Sequence, residues 1–238
     1  MTRSLLLAVL SAALIFGMGS AHAQDSGQAQ SQKTLTPNKK AGRTFVYTCA
    51  GCHGITGYQN IYPTYHVPLI AGQNADYIEK ALHEYRTGIR KHPTMGAQAE
   101  GMTDQDIVNI AAYLSSLAQP FNDKTKKDKA AKKTVASAAP ADKAESDVLP
   151  GVRKSVVCQA CHGKYGIATA PQYPDLAGQY ADYIVQVLHE YKDGQRKNSI
   201  MKGFVSQLSD KDMKQIAAYF ARQPTPLDDL EGHIQGDD

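Results

Sequence analysis

Apolar residues recur at helical spacing in two stretches of the chain, in the same order each time. Tyr77, Ile78, Ala81, Leu82 and Tyr85 line one face and stop before Gly88, while Tyr183, Ile184, Val187, Leu188 and Tyr191 repeat the pattern and stop before Gly194. Residues three and four apart share a helix face, so each set predicts an amphipathic helix with a glycine stop. Downstream, Ile107, Ile110, Ala111 and Leu114 form a second buried stripe, with Met213, Ile216, Ala217 and Phe220 as its counterpart. Thr103-x-x-Asp106 and Ser209-x-x-Asp212 mark the starts of those helices as capping boxes.

The stripes belong to a longer internal repeat. Gly72-Gln73 matches Gly178-Gln179, Leu82-His83-Glu84-Tyr85 matches Leu188-His189-Glu190-Tyr191, and Arg90-Lys91 matches Arg196-Lys197, all at an offset of 106. Upstream of Gly72 the first copy holds three extra residues, in the stretch containing Tyr58, Tyr62 and Tyr65, which should make the two halves differ locally. Two small α-domains follow. At roughly 80 residues each, their apolar cores are marginal without an added centre.

Cysteine usage supplies that centre. All four cysteines fall in two copies of Cys-x-x-Cys-His, at Cys49, Cys52 and His53 and at Cys158, Cys161 and His162. The pentapeptide is the attachment signal of c-type haem. On a helical turn both sulfurs and the imidazole can meet one flat ring, two thioethers fixing it while the histidine ligates iron. A redox-active dithiol belongs beside a βαβ pattern, which the sequence lacks. Zinc or two disulfides leave the histidine after each pair unexplained.

The repeat register also nominates the second axial ligands. Met102 aligns with Leu208 and Met213 with Ile107, so after the two motifs only Met95 and Met201 are methionine in both copies. A thioether would close the sixth position of the iron and raise its potential. The alternative is core filling, the ordinary use of a flexible apolar side chain. His66 and His92 are rival ligands for the first haem, neither having a histidine counterpart. His83 and His189 are equivalent, and both read as helix surface.

Arg3, the apolar run from Leu5 to Met18 and Ala21-His22-Ala23 predict a signal peptide over 1–23. That run is shorter than the ~20 residues of a membrane span, so a soluble periplasmic protein is expected, a retained anchor being the alternative. Residues 24–38 read as a flexible N-terminal segment, 39–120 as the first domain, 121–148 as a Lys/Ala-rich linker, 149–224 as the second domain and 225–238 as an acidic tail. Without Arg3 the 26 Lys and Arg become 25 against 23 Asp and Glu, a balance that argues against nucleic acid. Six of the linker lysines, Lys124, Lys126, Lys127, Lys129, Lys132 and Lys133, read as a solvated tether, or as a dock for an acidic partner or membrane surface.

The tandem arrangement, with Cys-x-x-Cys-His, then Pro-x-Leu-Ala-Gly-Gln (Pro174 to Gln179; Pro68-Leu69-Ile70-Ala71-Gly72-Gln73 in the first copy), then a methionine and a Leu-Ser-Asp-x-Asp helix (Leu208 to Asp212; Met102-Thr103-Asp104-Gln105-Asp106 in the first copy), resembles cytochrome c4. The resemblance spans Lys39 to Gln119 and Leu149 to Gln223. It implies an all-α fold of two tandem class I cytochrome c domains, each wrapped around one covalent haem. It further implies His/Met ligation by His53 with Met95 and His162 with Met201, and carbonyls of Pro68 and Pro174 orienting the histidines. The family packs its haem domains face to face; the linker here is longer than the family's usual one. The implied role is a soluble periplasmic carrier of electrons between redox proteins of a respiratory chain, towards a terminal oxidase, and not an enzyme. A dedicated electron-transfer subunit of a dehydrogenase and a dihaem enzyme such as a peroxidase are the alternatives.

Overall fold

The computed structural model describes residues 34–119 and 150–234. The expected signal peptide and linker lie outside these residues. The first half runs α1 (Lys39–His53), β1 (Gln59–Ile61), β2 (Thr64–His66), α2 (Ala75–Arg86), α3 (Pro93–Glu100) and α4 (Asp104–Ser116). In the second, a helical turn over 150–154 leads into α5 (Val156–His162), α6 (Ala181–Asp193), α7 (Ser199–Val205) and α8 (Asp210–Ala221). The only strands among the described residues form a short antiparallel hairpin, Gln59 facing His66. It takes up the three extra residues of the first repeat. Of the tyrosines there, Tyr65 is buried while Tyr62 is 96% exposed near the turn.

Both capping boxes form in full, Thr103 with Asp106 and Ser209 with Asp212 exchanging side-chain and backbone bonds at the starts of α4 and α8. Gly194 ends α6 at a left-handed φ of 77°, the conformation glycine adopts without steric cost. The apolar stripes meet as expected: Val46 of α1 packs with Ile78, Leu82, Ile107, Ile110 and Leu114, and in the second half Ile184 and Leu188 pack with Met213, Ile216 and Phe220. Burying each such side chain contributes about 1.5–3 kcal/mol. Helix α1 approaches α4 so closely that a β-carbon on Gly42 would lie 2.0 Å from the Asn109 carbonyl oxygen; at the equivalent Gly151 the Gln215 carbonyl would be 2.1 Å away.

Two expectations about the termini need correction. Part of the flexible N-terminal segment is tied down: the Thr36 carbonyl accepts from Gln105 Nε2 at 2.9 Å, and Asn38 donates its N–H to Asn109 Oδ1 at 2.8 Å while its side chain caps α1. Nor are residues 225–234 a tail. They cross from the second half onto the first, where Asp228 pairs with Ala71 through both backbone bonds and Leu230, 1% exposed, enters the first core. The Tyr113 hydroxyl donates to the His233 carbonyl at 2.9 Å. Leu227 and Leu230 provide the apolar anchors; the acids between them dominate the composition but not the packing.

A reciprocal pair of glutamine clamps docks the halves. Gln73 accepts from the Asp175 N–H at 2.8 Å and donates to its carbonyl at 3.1 Å; Gln179 does the same to Leu69, at 3.0 and 2.9 Å. Leu69 and Asp175 are repeat equivalents, so the contact has approximate two-fold symmetry. All four bonds are buried, where each is worth about 1 kcal/mol net and costs more if left unmade.

Candidate haem sites

The last turn of α1 carries Cys49, Cys52 and His53, and α5 carries Cys158, Cys161 and His162. None of the four thiols is in a disulfide. Among the described residues no three His, Cys, Asp or Glu converge as a metal-ion site. His53 Nδ1 donates to the Pro68 carbonyl at 2.9 Å and His162 Nδ1 to the Pro174 carbonyl at 3.0 Å. A histidine whose Nδ1–H is engaged in this way keeps its Nε2 lone pair for a metal and has its ring plane fixed. Burial lowers both imidazole pKa values, opposed by these carbonyls, which favours the neutral form a ligand requires. Burial also pushes the Cys49 and Cys158 thiols up.

Met95 and Met201 are placed by matching devices. His92 caps α3, its Nδ1 accepting the Met95 N–H at 3.2 Å; Asn198 caps α7, its Oδ1 accepting the Met201 N–H at 3.0 Å. The helix cap is thus what His92 shares with its non-histidine counterpart. His66, the other rival ligand, is buried at the contact between halves, with Nδ1 2.6 Å from Asp182 Oδ2 and its ring stacked 4.5 Å from Tyr180. His83 and His189 are partly exposed and lie 3.8 Å from Asp104 and Asp210.

A single cavity of about 850 Å³ runs between the halves. Cys49, Cys52, His53 and Met95 line it from the first repeat, and Cys158, Cys161, His162 and Met201 from the second. Paired thiols and an oriented neutral imidazole, facing a methionine-lined apolar space, fit a thioether-linked haem at each motif. Bound there, haem supplies a reversible one-electron iron couple. The chain's own contribution is attachment, ring orientation and exclusion of water.

Sequence reasoning missed the interface roles of several buried polar residues. Gln73 and Gln179 stood in the repeated motif, yet nothing in the repeat names their partners. Arg90 bonded to Glu84 and Arg196 bonded to Glu190 were visible only as matched positions. Burial and the nearby Glu190 carboxylate push the phenol of Tyr65 up to about 12, so it stays protonated at neutral pH.

Residues 39–118 match the family description "Cytochrome c", and residues 152–220 match "Cytochrome C oxidase, cbb3-type, subunit III". Cytochrome c4 of Pseudomonas aeruginosa is 30% identical over 75% of this chain and 85% of its own length. The thiosulfate dehydrogenase electron acceptor of Stutzerimonas stutzeri is 30% identical over 88% of this chain and 91% of its own. Among solved structures, reduced cytochrome c4 from Pseudomonas stutzeri is similar with a TM-score of 0.55 and 27% identity, covering 79% of this chain and all of that one. Thiosulfate dehydrogenase from Marichromatium purpuratum is similar with a TM-score of 0.57 and 27% identity over 79% of this chain, which corresponds to 40% of that one. Two cytochrome c domains, each with its own Cys-x-x-Cys-His motif, carry two covalent c-type haems in an electron-transfer protein. The chain belongs to the dihaem cytochrome c4 family.

Proposed function

We propose that His53 with Met95 and His162 with Met201 are the axial ligands of the two haem irons, and that the protein is a periplasmic electron shuttle feeding a terminal oxidase. The observation that carries this reading is the shared cavity, into which each half brings the same attachment, ligand and methionine set. Thioether sulfur is soft and uncharged, so it suits both iron oxidation states and leaves no coordination position for a substrate. The N-terminal Arg3, apolar run and Ala21-His22-Ala23 support export by a cleaved signal peptide. No helix of the described residues is long and apolar enough to cross a membrane.

A second reading, a dedicated electron-accepting subunit of a dehydrogenase, is favoured by the relatives named as thiosulfate dehydrogenase electron acceptors. A redox titration with optical and paramagnetic resonance detection tests the ligands and haem number together. Two low-spin haems that bind no carbon monoxide are expected; a high-spin iron, or stoichiometric carbon monoxide binding in native protein, overturns the closed-site assignment. Co-purification with a catalytic chain would replace the free shuttle with the subunit.

A further inference from the structure

Each motif histidine stands at the end of a hydrogen-bonded chain that begins in the other half. The Pro68 carbonyl, which accepts from His53 Nδ1 at 2.9 Å, and the Leu69 N–H, which donates to Gln179 Oε1 at 3.0 Å, belong to one peptide group. The second half repeats the arrangement. His162 Nδ1 donates to the Pro174 carbonyl at 3.0 Å, and the Asp175 N–H of that same peptide group donates to Gln73 Oε1 at 2.8 Å. Resonance links the oxygen and nitrogen of a peptide group electronically. An acceptor placed on its N–H therefore strengthens its carbonyl as an acceptor, since hydrogen bonds in such a chain polarise one another.

The glutamine amides are held in the one orientation that completes the chain. Gln179 Oε1 also accepts the Tyr180 N–H at 3.1 Å while its Nε2 donates to the Leu69 carbonyl at 2.9 Å. Gln73 Oε1 accepts the Asn74 N–H at 2.9 Å while its Nε2 donates to the Asp175 carbonyl at 3.1 Å. Turning either amide over would set its NH2 against two N–H donors and its oxygen against a carbonyl. Both glutamines are buried, which leaves little room for water to substitute.

We propose that Gln73 and Gln179 are positioning residues that act in trans, each tuning the iron-ligand histidine of the opposite half through one shared peptide group. This rests on the reading of His53 and His162 as iron ligands. A stronger bond at Nδ1–H makes the imidazole a more basic ligand, which favours ferric iron and lowers the potential. Docking thereby sets both potentials, each half holding that of the other.

The test replaces each glutamine by methionine, which preserves length and charge and removes the acceptor. In Gln179→Met the Nδ1–H of His53, followed by NMR in the reduced holoprotein, should shift and exchange faster with solvent. The potential of the first haem should rise while the second stays native. Gln73→Met should give the reverse pattern, with His162 and the second haem responding. Unmoved protons and potentials, equal changes in both halves, or changes confined to the glutamine's own half overturn the relay. Should a methionine variant part the halves, seen as a broadened distance between the irons, Gln179→Glu decides the matter. Its carboxylate still accepts from Leu69, so the His53 proton should keep its slow exchange and shift in the opposite sense; exchange as fast as in Gln179→Met overturns the relay. Irons that are not low-spin in native protein bear on the ligand assignment, whereas low-spin irons with an unmoved His53 proton bear on the relay.

Discussion

Leu230 donates its backbone N–H to the carbonyl of His53 at 2.9 Å, so a residue from the C-terminal end of the described chain holds the last turn of α1 at the first haem motif. Its side chain is almost wholly enclosed by the first core. Leu230→Ala is therefore expected to destabilise the first half by about 2–5 kcal/mol. Thermal unfolding followed in the haem absorption band checks this, and an unchanged midpoint would show that the strap contributes nothing.

The glutamine clamps predict a separable effect. Gln73→Ala or Gln179→Ala removes two buried hydrogen bonds and leaves a main-chain donor and acceptor unmet, a loss of roughly 2–4 kcal/mol of docking energy. Each half should retain its own absorption spectrum while dipolar spectroscopy shows a broadened distance distribution between the irons. A narrow, native distribution in both variants would mean that other contacts suffice for docking.

Glycine positions on α1 separate a packing demand from simple helix preference. Gly42→Ala drives a β-carbon into the Asn109 carbonyl and should cost about 1–3 kcal/mol or more through displacement of α4. Gly51→Ala, between the first two haem cysteines, meets nothing within 4 Å and should stabilise by about 0.5–1 kcal/mol, as for any glycine replaced inside a helix. Denaturant midpoints of the two variants should move in opposite directions.

If Met95 and Met201 are the distal ligands, each Ala variant opens one iron and leaves the other closed. One equivalent of carbon monoxide per chain is expected in either single variant and two in the double. Full coordination retained in both single variants would return the methionines to core filling.

The two halves differ by one charge beside otherwise matching ion pairs. Lys80 bonds Glu84, whereas its equivalent Gln186 donates to Glu190 Oε1 at 3.1 Å. Both side chains line the cavity. Lys80→Gln should lower the potential of the first haem more than that of the second, and Gln186→Lys should raise the second more than the first. Equal shifts of both haems, measured by titration, would remove this source of asymmetry.

Local rules made much of this molecule legible in sequence. Capping boxes, helix stripes and the cysteine-histidine motifs depend on neighbours a few residues apart, and each formed where its spacing placed it. The C-terminal strap escaped because Leu227 and Leu230 sit among acids in a segment with no helical or strand period, so nothing local announces their burial. The hairpin escaped because three-residue strands are too short to show alternation. Gln73 and Gln179 were recognisable as repeated residues, but a glutamine that clamps main chain leaves no complementary side chain in the sequence to find. His66 shows the reverse case, a chemically suggestive residue whose position is explained by Asp182 in the other half.

The clamps also bear on how such a chain can evolve. When side chains grip backbone across the contact, orientation no longer depends on the covalent connection, and doubling the span between the halves costs only about 0.6 kcal/mol of closure entropy. Insertions rich in lysine can then accumulate between residues 119 and 150 without disturbing the electron path, leaving that stretch open to selection for solubility or for capture of acidic partners.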